Sequence, residues 1–126
     1  METLKEKKAW KEVKASKRFL NAFRGLYVFV ATERHFSVIV FTVFMIIVMG
    51  FYFNISEFEW LSLVFAIGFV IVSEILNSAI EIDIDLTSPE YHPYARDTKD
   101  VAAGAVLISF CTAVIVWLII FLPKIF

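Results

Sequence analysis

Apolar side chains gather in three blocks along the chain, and the polar positions between them set the frame. The first block, Phe36 to Phe53, is uncharged throughout. At about 1.5 Å per residue it reaches roughly 27 Å, close to the hydrocarbon thickness of a bilayer. The second begins near Phe58 and runs through Gly68 to Ser73. That uncharged part is too short alone, so the same helix must continue to about Asn77 to cross, and further to bring Glu81 into water. The third, Val101 to Leu122, is again uncharged. The pattern predicts three transmembrane helices, over 34–54, 58–86 and 97–122. Ahead of them, over 5–31, Phe19, Phe23, Leu26 and Val30 recur on one helical face, with Lys14, Lys17, Arg18, Asn21 and Arg24 broadly opposite. This predicts a basic amphipathic helix lying on the membrane surface. The expected fold is an all-α membrane protein, with residues 1–126 as a single domain.

Two breaks divide the spans. Asn54 to Glu59 carries two acids and no base, a short turn between the first and second helices. Thr87 to Pro93 contains Pro89 and Pro93, which disfavour helix and push Ser88 and His92 toward extended backbone. Asp97 or Thr98 is expected to cap the third helix, leaving Lys99 and Asp100 in its first turn.

Composition sharpens the membrane assignment. Hydrophobic residues make up 60% of the chain, outside the usual range of soluble domains. The net charge of -1 conceals an asymmetry, because nine of the twelve Lys and Arg residues precede residue 35. By the positive-inside rule the N-terminus and the 87–93 loop face the cytoplasm, and the C-terminus lies outside. The lysine-rich start does not resemble a removable signal peptide, so insertion is expected to use the first internal span. Cys111, the single cysteine, allows no intrachain disulfide and reads as a packing residue. Gly-rich phosphate loops, paired CxxC motifs and nucleophile elbows are absent from the sequence.

The candidate chemistry lies between Glu74 and Asp100. At helical spacing Glu74, Asn77, Glu81 and Asp85 share one stripe, while Asp83 points away. Seven residues, about 10 Å of axis, separate Glu74 from Glu81, so the first acid stays in the apolar zone and the second emerges at the surface. Intramembrane acids are functional candidates by default. With Glu33 at the edge of the first span and Lys99 at the start of the third, they suit phosphoryl transfer, which needs positioning, charge neutralisation and an oriented nucleophile. Glu33 and Glu81 could hold Mg²⁺ on a nucleotide, Lys99 could meet phosphates, and Glu74 could accept a proton from a lipid hydroxyl. The same residues admit other roles. The acids also suit an ion path or helix pairing, Asn77 and Ser78 could bond a neighbouring helix, and Glu90, His92 and Asp97 could be loop or cap residues. Lys99 with Asp100 could be a local ion pair.

The run Glu74-Ile-Leu-Asn77-Ser-Ala-Ile-Glu81, then Asp85, Ser88-Pro-Glu90-Tyr-His92 and Lys99-Asp100-Val-Ala-Ala-Gly-Ala-Val, closely resembles the bacterial diacylglycerol kinase and undecaprenol kinase family. Glu33 with Phe36 matches its N-terminal glutamate, and Arg18-Phe19 through Arg24-Gly25 resembles its surface helix. The resemblance implies a homotrimeric enzyme of the bacterial inner membrane, with ATP as phosphoryl donor, Mg²⁺ as cofactor, a membrane lipid as acceptor and no nucleic acid partner. It implies Glu74 as general base with Asn77 in support, Glu33 and Glu81 as metal ligands, and Ala103 beside Glu74 on the lipid side. Lys14, Asn21, Asp85, Glu90, His92, Lys99 and Asp100 join Glu33 and Glu81 around the nucleotide. Asn21 stands where some relatives carry an aromatic, and Asp97 where a neutral or basic residue is common. These departures touch the adenine side and leave the acids unaltered. The Glu74–Glu81 run favours diacylglycerol as acceptor, with undecaprenol the alternative; a proton-conducting or helix-pairing membrane protein is the reading outside the enzymes.

Overall fold

The computed structural model describes residues 15–126, so the first ten positions of the expected surface helix, Lys14 among them, lie outside it. Four helices account for the described chain: α1 (Ala15–Thr32), α2 (Phe36–Tyr52), α3 (Glu57–Thr87) and α4 (Pro93–Ile125). Among the described residues there is no strand. The chain divides between Glu33 and Arg34 into two units.

The N-terminal unit carries α1. Phe19 and Phe23, one turn apart, meet edge to face with centroids 5.3 Å apart, and both are exposed with Leu26 and Val30. This apolar stripe opposite Lys17, Arg18 and Arg24 is the face pattern of a helix suited to a bilayer surface. The helix is closed by Thr32, whose hydroxyl donates to Val28 O at 2.7 Å, and by Glu33 N–H, which donates to Phe29 O at 2.8 Å.

In the second unit α3 and α4, 31 and 33 residues long, are both apolar enough to cross a membrane, with peak mean hydropathies of 2.1 and 2.8. α2 has 17 residues without a charge, at the lower limit of length for a span. The five-residue link Ser88–His92 and ion pairs at both ends make α3 and α4 an antiparallel hairpin. At one end Lys99 Nζ meets Asp85 Oδ1 at 2.6 Å; at the other Lys124 Nζ meets Glu59 Oε2 at 2.8 Å. Along α3 the two pairs stand about 39 Å apart at 1.5 Å per residue. That separation approaches the thickness of a bilayer with its headgroups, and the large exposed side chains between them are mostly apolar, as lipid contact requires.

α4 begins at Pro93 rather than near the expected Asp97. Pro93 occupies the first helical position, where its fixed φ is favourable and its missing N–H costs nothing. His92 takes the cap position with extended φ and ψ of -144° and 136°, and its Nδ1 accepts from Tyr94 N–H at 3.1 Å. Asp97 therefore caps nothing, and Lys99 and Asp100 sit in the second turn.

The tightest packing lies at the α2–α3 turn, away from that link. Ile55, Leu63, Ile120 and Phe121 are buried there, with Met49, Phe53, Trp60 and Trp117 against them. Asn54 makes the turn in the left-handed region at φ 49°, which asparagine tolerates better than most residues. Ser56 then starts α3 with a reciprocal cap: its Oγ accepts from Glu59 N–H at 3.2 Å, and Glu59 Oε1 accepts from Ser56 N–H at 3.1 Å. The Glu59 carboxylate thus caps α3 and ties it to α4.

Gly50 is buried in this cluster, and a Cβ there would overlap the Trp60 indole. The indole also meets the Phe51 ring, tilted to it with centroids 5.1 Å apart, so moving aside would disturb that contact. Gly50→Ala should destabilise the protein by about 1–3 kcal/mol, the usual cost of overpacking. Denaturant unfolding in mixed micelles measures this, and an unchanged midpoint would show that the indole yields freely.

Candidate active site

Along the acid-bearing stripe in the second half of α3, burial falls toward the link. Ser73 is buried and donates to Phe69 O at 2.9 Å. Glu74 is half-buried, and Glu81 and Asp85 are exposed. One helix face therefore carries acids from an apolar environment into an aqueous one.

Glu74 lines an apolar cavity of about 240 Å³ between α2, α3 and α4. The other polar lining groups are His35 and Thr42, and the Thr42 hydroxyl already donates to Val38 O at 2.8 Å. A neighbouring hollow of about 350 Å³ shares Thr42, Ile46, Phe110 and Ala113 with it and ends at Met49 and Trp117. The two adjoin along α2 and make an apolar groove beside it from His35 to Met49, about 21 Å at the helical rise.

One turn beyond Glu74, the Asn77 Nδ2 donates a long 3.4 Å hydrogen bond to Glu81 Oε1. That bond fixes the amide orientation and leaves Asn77 Oδ1 as a buried acceptor with no partner among the described residues. A buried acceptor left unmatched costs about 1–3 kcal/mol. A hydroxyl is one group able to satisfy it.

The link between α3 and α4 builds a second hollow, of about 290 Å³, lined by Asp85, Glu90, His92, Arg96, Lys99 and Asp100 among others. α3 ends because Pro89 follows Ser88; Ser88 N–H closes it onto Ile84 O at 2.8 Å, and Ser88 Oγ donates to Glu90 O at 3.3 Å. His92 is oriented by its cap bond, and an Nδ1 that accepts places the proton of a neutral imidazole on Nε2, which becomes a donor. Lys99 is held by Asp85 and also interacts electrostatically with Glu81. An exposed pair of this kind adds little stability; its consequence is a fixed ammonium with donors to spare.

Five of the residues expected at a nucleotide, Asp85, Glu90, His92, Lys99 and Asp100, thus line one hollow. Glu74 lines the apolar cavity, and Asn77 and Glu81 pair with each other between the two. Ala103 is exposed on α4 and lines neither cavity. Asn21 is exposed on α1, and Glu33 ends that same unit. Arg96 and Tyr91 also line the hollow and were not among the expected residues. With α4 starting at Pro93, Arg96 precedes Lys99 by three residues and shares its face. A start at Asp97 hides that spacing.

Among the described residues no group of three or more His, Cys, Asp or Glu side chains is arranged to hold a metal by itself. Mg²⁺ bound to a nucleotide does not require one, since it takes one or two carboxylates, phosphate oxygens and water. The exposed Glu81 carboxylate, beside the hollow, fits that mode.

Residues 20–121 match the family model described as prokaryotic diacylglycerol kinase. The chain is 38% identical over 108 residues to an undecaprenol kinase of Bacillus subtilis, covering 86% of this chain and 88% of that one. It is 34% identical over 87 residues to a diacylglycerol kinase of Helicobacter pylori, covering 69% and 68%. With a diacylglycerol kinase of Escherichia coli the identity is 35% over 78 residues, or 62% of this chain and 64% of the other.

Proposed function

Because this chain belongs to the prokaryotic diacylglycerol kinase family of lipid kinases, we propose that it moves the γ-phosphoryl group of ATP onto the hydroxyl of a membrane lipid alcohol, with Glu74 as general base. The observation that carries this reading is the change of environment along α3. Glu74 faces an apolar groove open to a hydrocarbon chain, and Glu81 and Asp85, two and three turns on, stand beside a polar hollow. A lipid hydroxyl and a nucleotide phosphate can meet between them.

In this mechanism the lipid tail lies in the groove and its hydroxyl reaches Glu74. Asn77 supports the site through its Nδ2 hydrogen bond to Glu81 Oε1. Glu74 accepts the hydroxyl proton as the oxygen attacks the γ-phosphorus; the bond from that phosphorus to the β-bridging oxygen breaks, and ADP leaves. Lys99 and the Nε2–H of His92 donate to phosphate oxygens. Glu81 is the carboxylate placed to hold Mg²⁺, and Glu33 keeps its ligand role from the resemblance alone. Mg²⁺ held there would offset phosphate charge. The inner membrane as location, cytoplasmic placement of the hollow and homotrimeric assembly belong to the same proposal.

For the acceptor we take undecaprenol, with diacylglycerol as the second reading. Apolar hollows strung along one helix suit one long tail better than two, and the undecaprenol kinase relative matches over more of this chain than the E. coli enzyme does. The Glu74–Glu81 run favours diacylglycerol. Incubating the purified protein with γ-labelled ATP and each lipid in mixed micelles, then separating the lipid products, decides between them. Faster labelling of undecaprenol is the expected result. Faster labelling of diacylglycerol reverses the choice of acceptor, and no labelled lipid above a protein-free control removes the kinase assignment.

A further inference from the structure

We propose that Arg96 is a polyphosphate-binding residue, a second fixed cation on the wall of the hollow that works alongside Lys99. The inference rests on the phosphoryl-transfer reading and adds a residue that reading did not require.

The first support is how the guanidinium is held. Arg96 Nε and Nη2 both donate to Asp97 Oδ1, at 3.2 and 3.0 Å, and Nη1 donates to the Tyr91 hydroxyl at 3.0 Å. Asp97 is the next residue in α4 and Tyr91 lies in the link before it, so the group is gripped from both sides of the helix start. Both members of the ion pair are more than half exposed, at 53% and 58%, and such a pair contributes little to stability. What the grip does fix is the plane of the fork. Of five N–H donors three are engaged, and two remain, one on each terminal nitrogen. A guanidinium ordered in advance loses less freedom when it binds an anion.

The second support is the charge of the hollow. Its walls carry three carboxylates, Asp85, Glu90 and Asp100, against Lys99 and Arg96. Lys99 is already in contact with Asp85 at 2.6 Å. The walls carry one excess acid with Arg96 and two without it, when an ammonium already paired with Asp85 would alone receive a polyphosphate. With Arg96, two cations one helical turn apart present a row of donors to successive phosphates, and the arginine adds the planar geometry that a lysine lacks.

The test uses the full-length protein in mixed micelles with Arg96→Gln and Arg96→Lys. Arg96→Gln should raise the KM for Mg-ATP and the inhibition constant of ADP by about tenfold or more, the usual weight of charge-assisted hydrogen bonds. Inhibition by adenosine, which has no phosphate, should stay within about twofold, and kcat should fall less than KM rises. Arg96→Lys should recover part of the loss by restoring charge without the fork. An unchanged KM and ADP constant would overturn the assignment, even with a lower thermal midpoint, because Arg96 would then serve the link alone. Equal weakening of adenosine and ADP would overturn it too, by pointing to a distorted hollow. A parent protein that labels no lipid, yet binds Mg-ATP in direct titration more tightly than Arg96→Gln, would sink the kinase reading and uphold this one. An active parent with unweakened binding in the variant would do the reverse.

Discussion

Glu74→Gln should lower the rate of lipid phosphorylation by about 10²–10⁴-fold, the range general-base catalysis contributes, while Mg-ATP binding stays within about twofold of the parent. The substitution keeps the shape and a hydrogen-bonding oxygen of a half-buried side chain and removes its capacity to take a proton. Because an amide is easier to place among Val70, Ile71 and Phe110 than a carboxylate, loss of folding is not a competing cause. Turnover at saturating substrates, set beside nucleotide binding by direct titration, gives the answer. A variant that binds nucleotide poorly and turns over normally would exchange the roles of Glu74 and Glu81. A silent variant, together with nucleotide-independent proton flux in liposomes, would favour the non-enzymatic reading of the acid stripe.

The helices were legible because lipid removes ambiguity from a sequence. An uncharged run of span length has one stable outcome in a bilayer, a helix with all backbone groups paired internally. The acid stripe followed from the same period, since Glu74, Asn77, Glu81 and Asp85 recur at a spacing only a helix brings together. Finer features depended on one local choice. Asp97 is a good cap residue, yet Pro93 at the first helical position and His92 before it start α4 a turn earlier, and the relation of Arg96 to Lys99 changes with that start. The apolar groove could not be read at all, because apolar residues facing a cavity and apolar residues facing acyl chains are chemically alike. Only the coordinates separate Ile46 and Phe110, which line it, from Phe41's neighbour Val40, which does not. The Asp85–Lys99 contact across the link also required coordinates, since fourteen residues of separation carry no periodicity.

Glu81→Gln should weaken productive Mg-ATP binding by about 10- to 100-fold, at least the loss that follows from disturbing the groups around a metal ligand, with a smaller effect on turnover once both are saturating. The argument is one of charge isolated from geometry. A glutamine at 81 can still accept the 3.4 Å hydrogen bond from Asn77 Nδ2, so the buried amide keeps its orientation and the α3 stripe its shape. What disappears is a negative charge at an exposed position, and Mg²⁺, a hard cation that prefers carboxylate and phosphate oxygens, loses a ligand worth more than a neutral carbonyl. Titrating Mg²⁺ at fixed ATP should move the activity curve of the variant to higher metal concentration and leave its plateau less affected. Glu74→Gln should do the opposite, lowering the plateau without moving the curve. If both variants lower the plateau alike and neither shifts the metal requirement, Glu81 acts through Asn77 on the acceptor side, and the separation of a lipid-facing acid from a metal-facing acid along α3 is wrong.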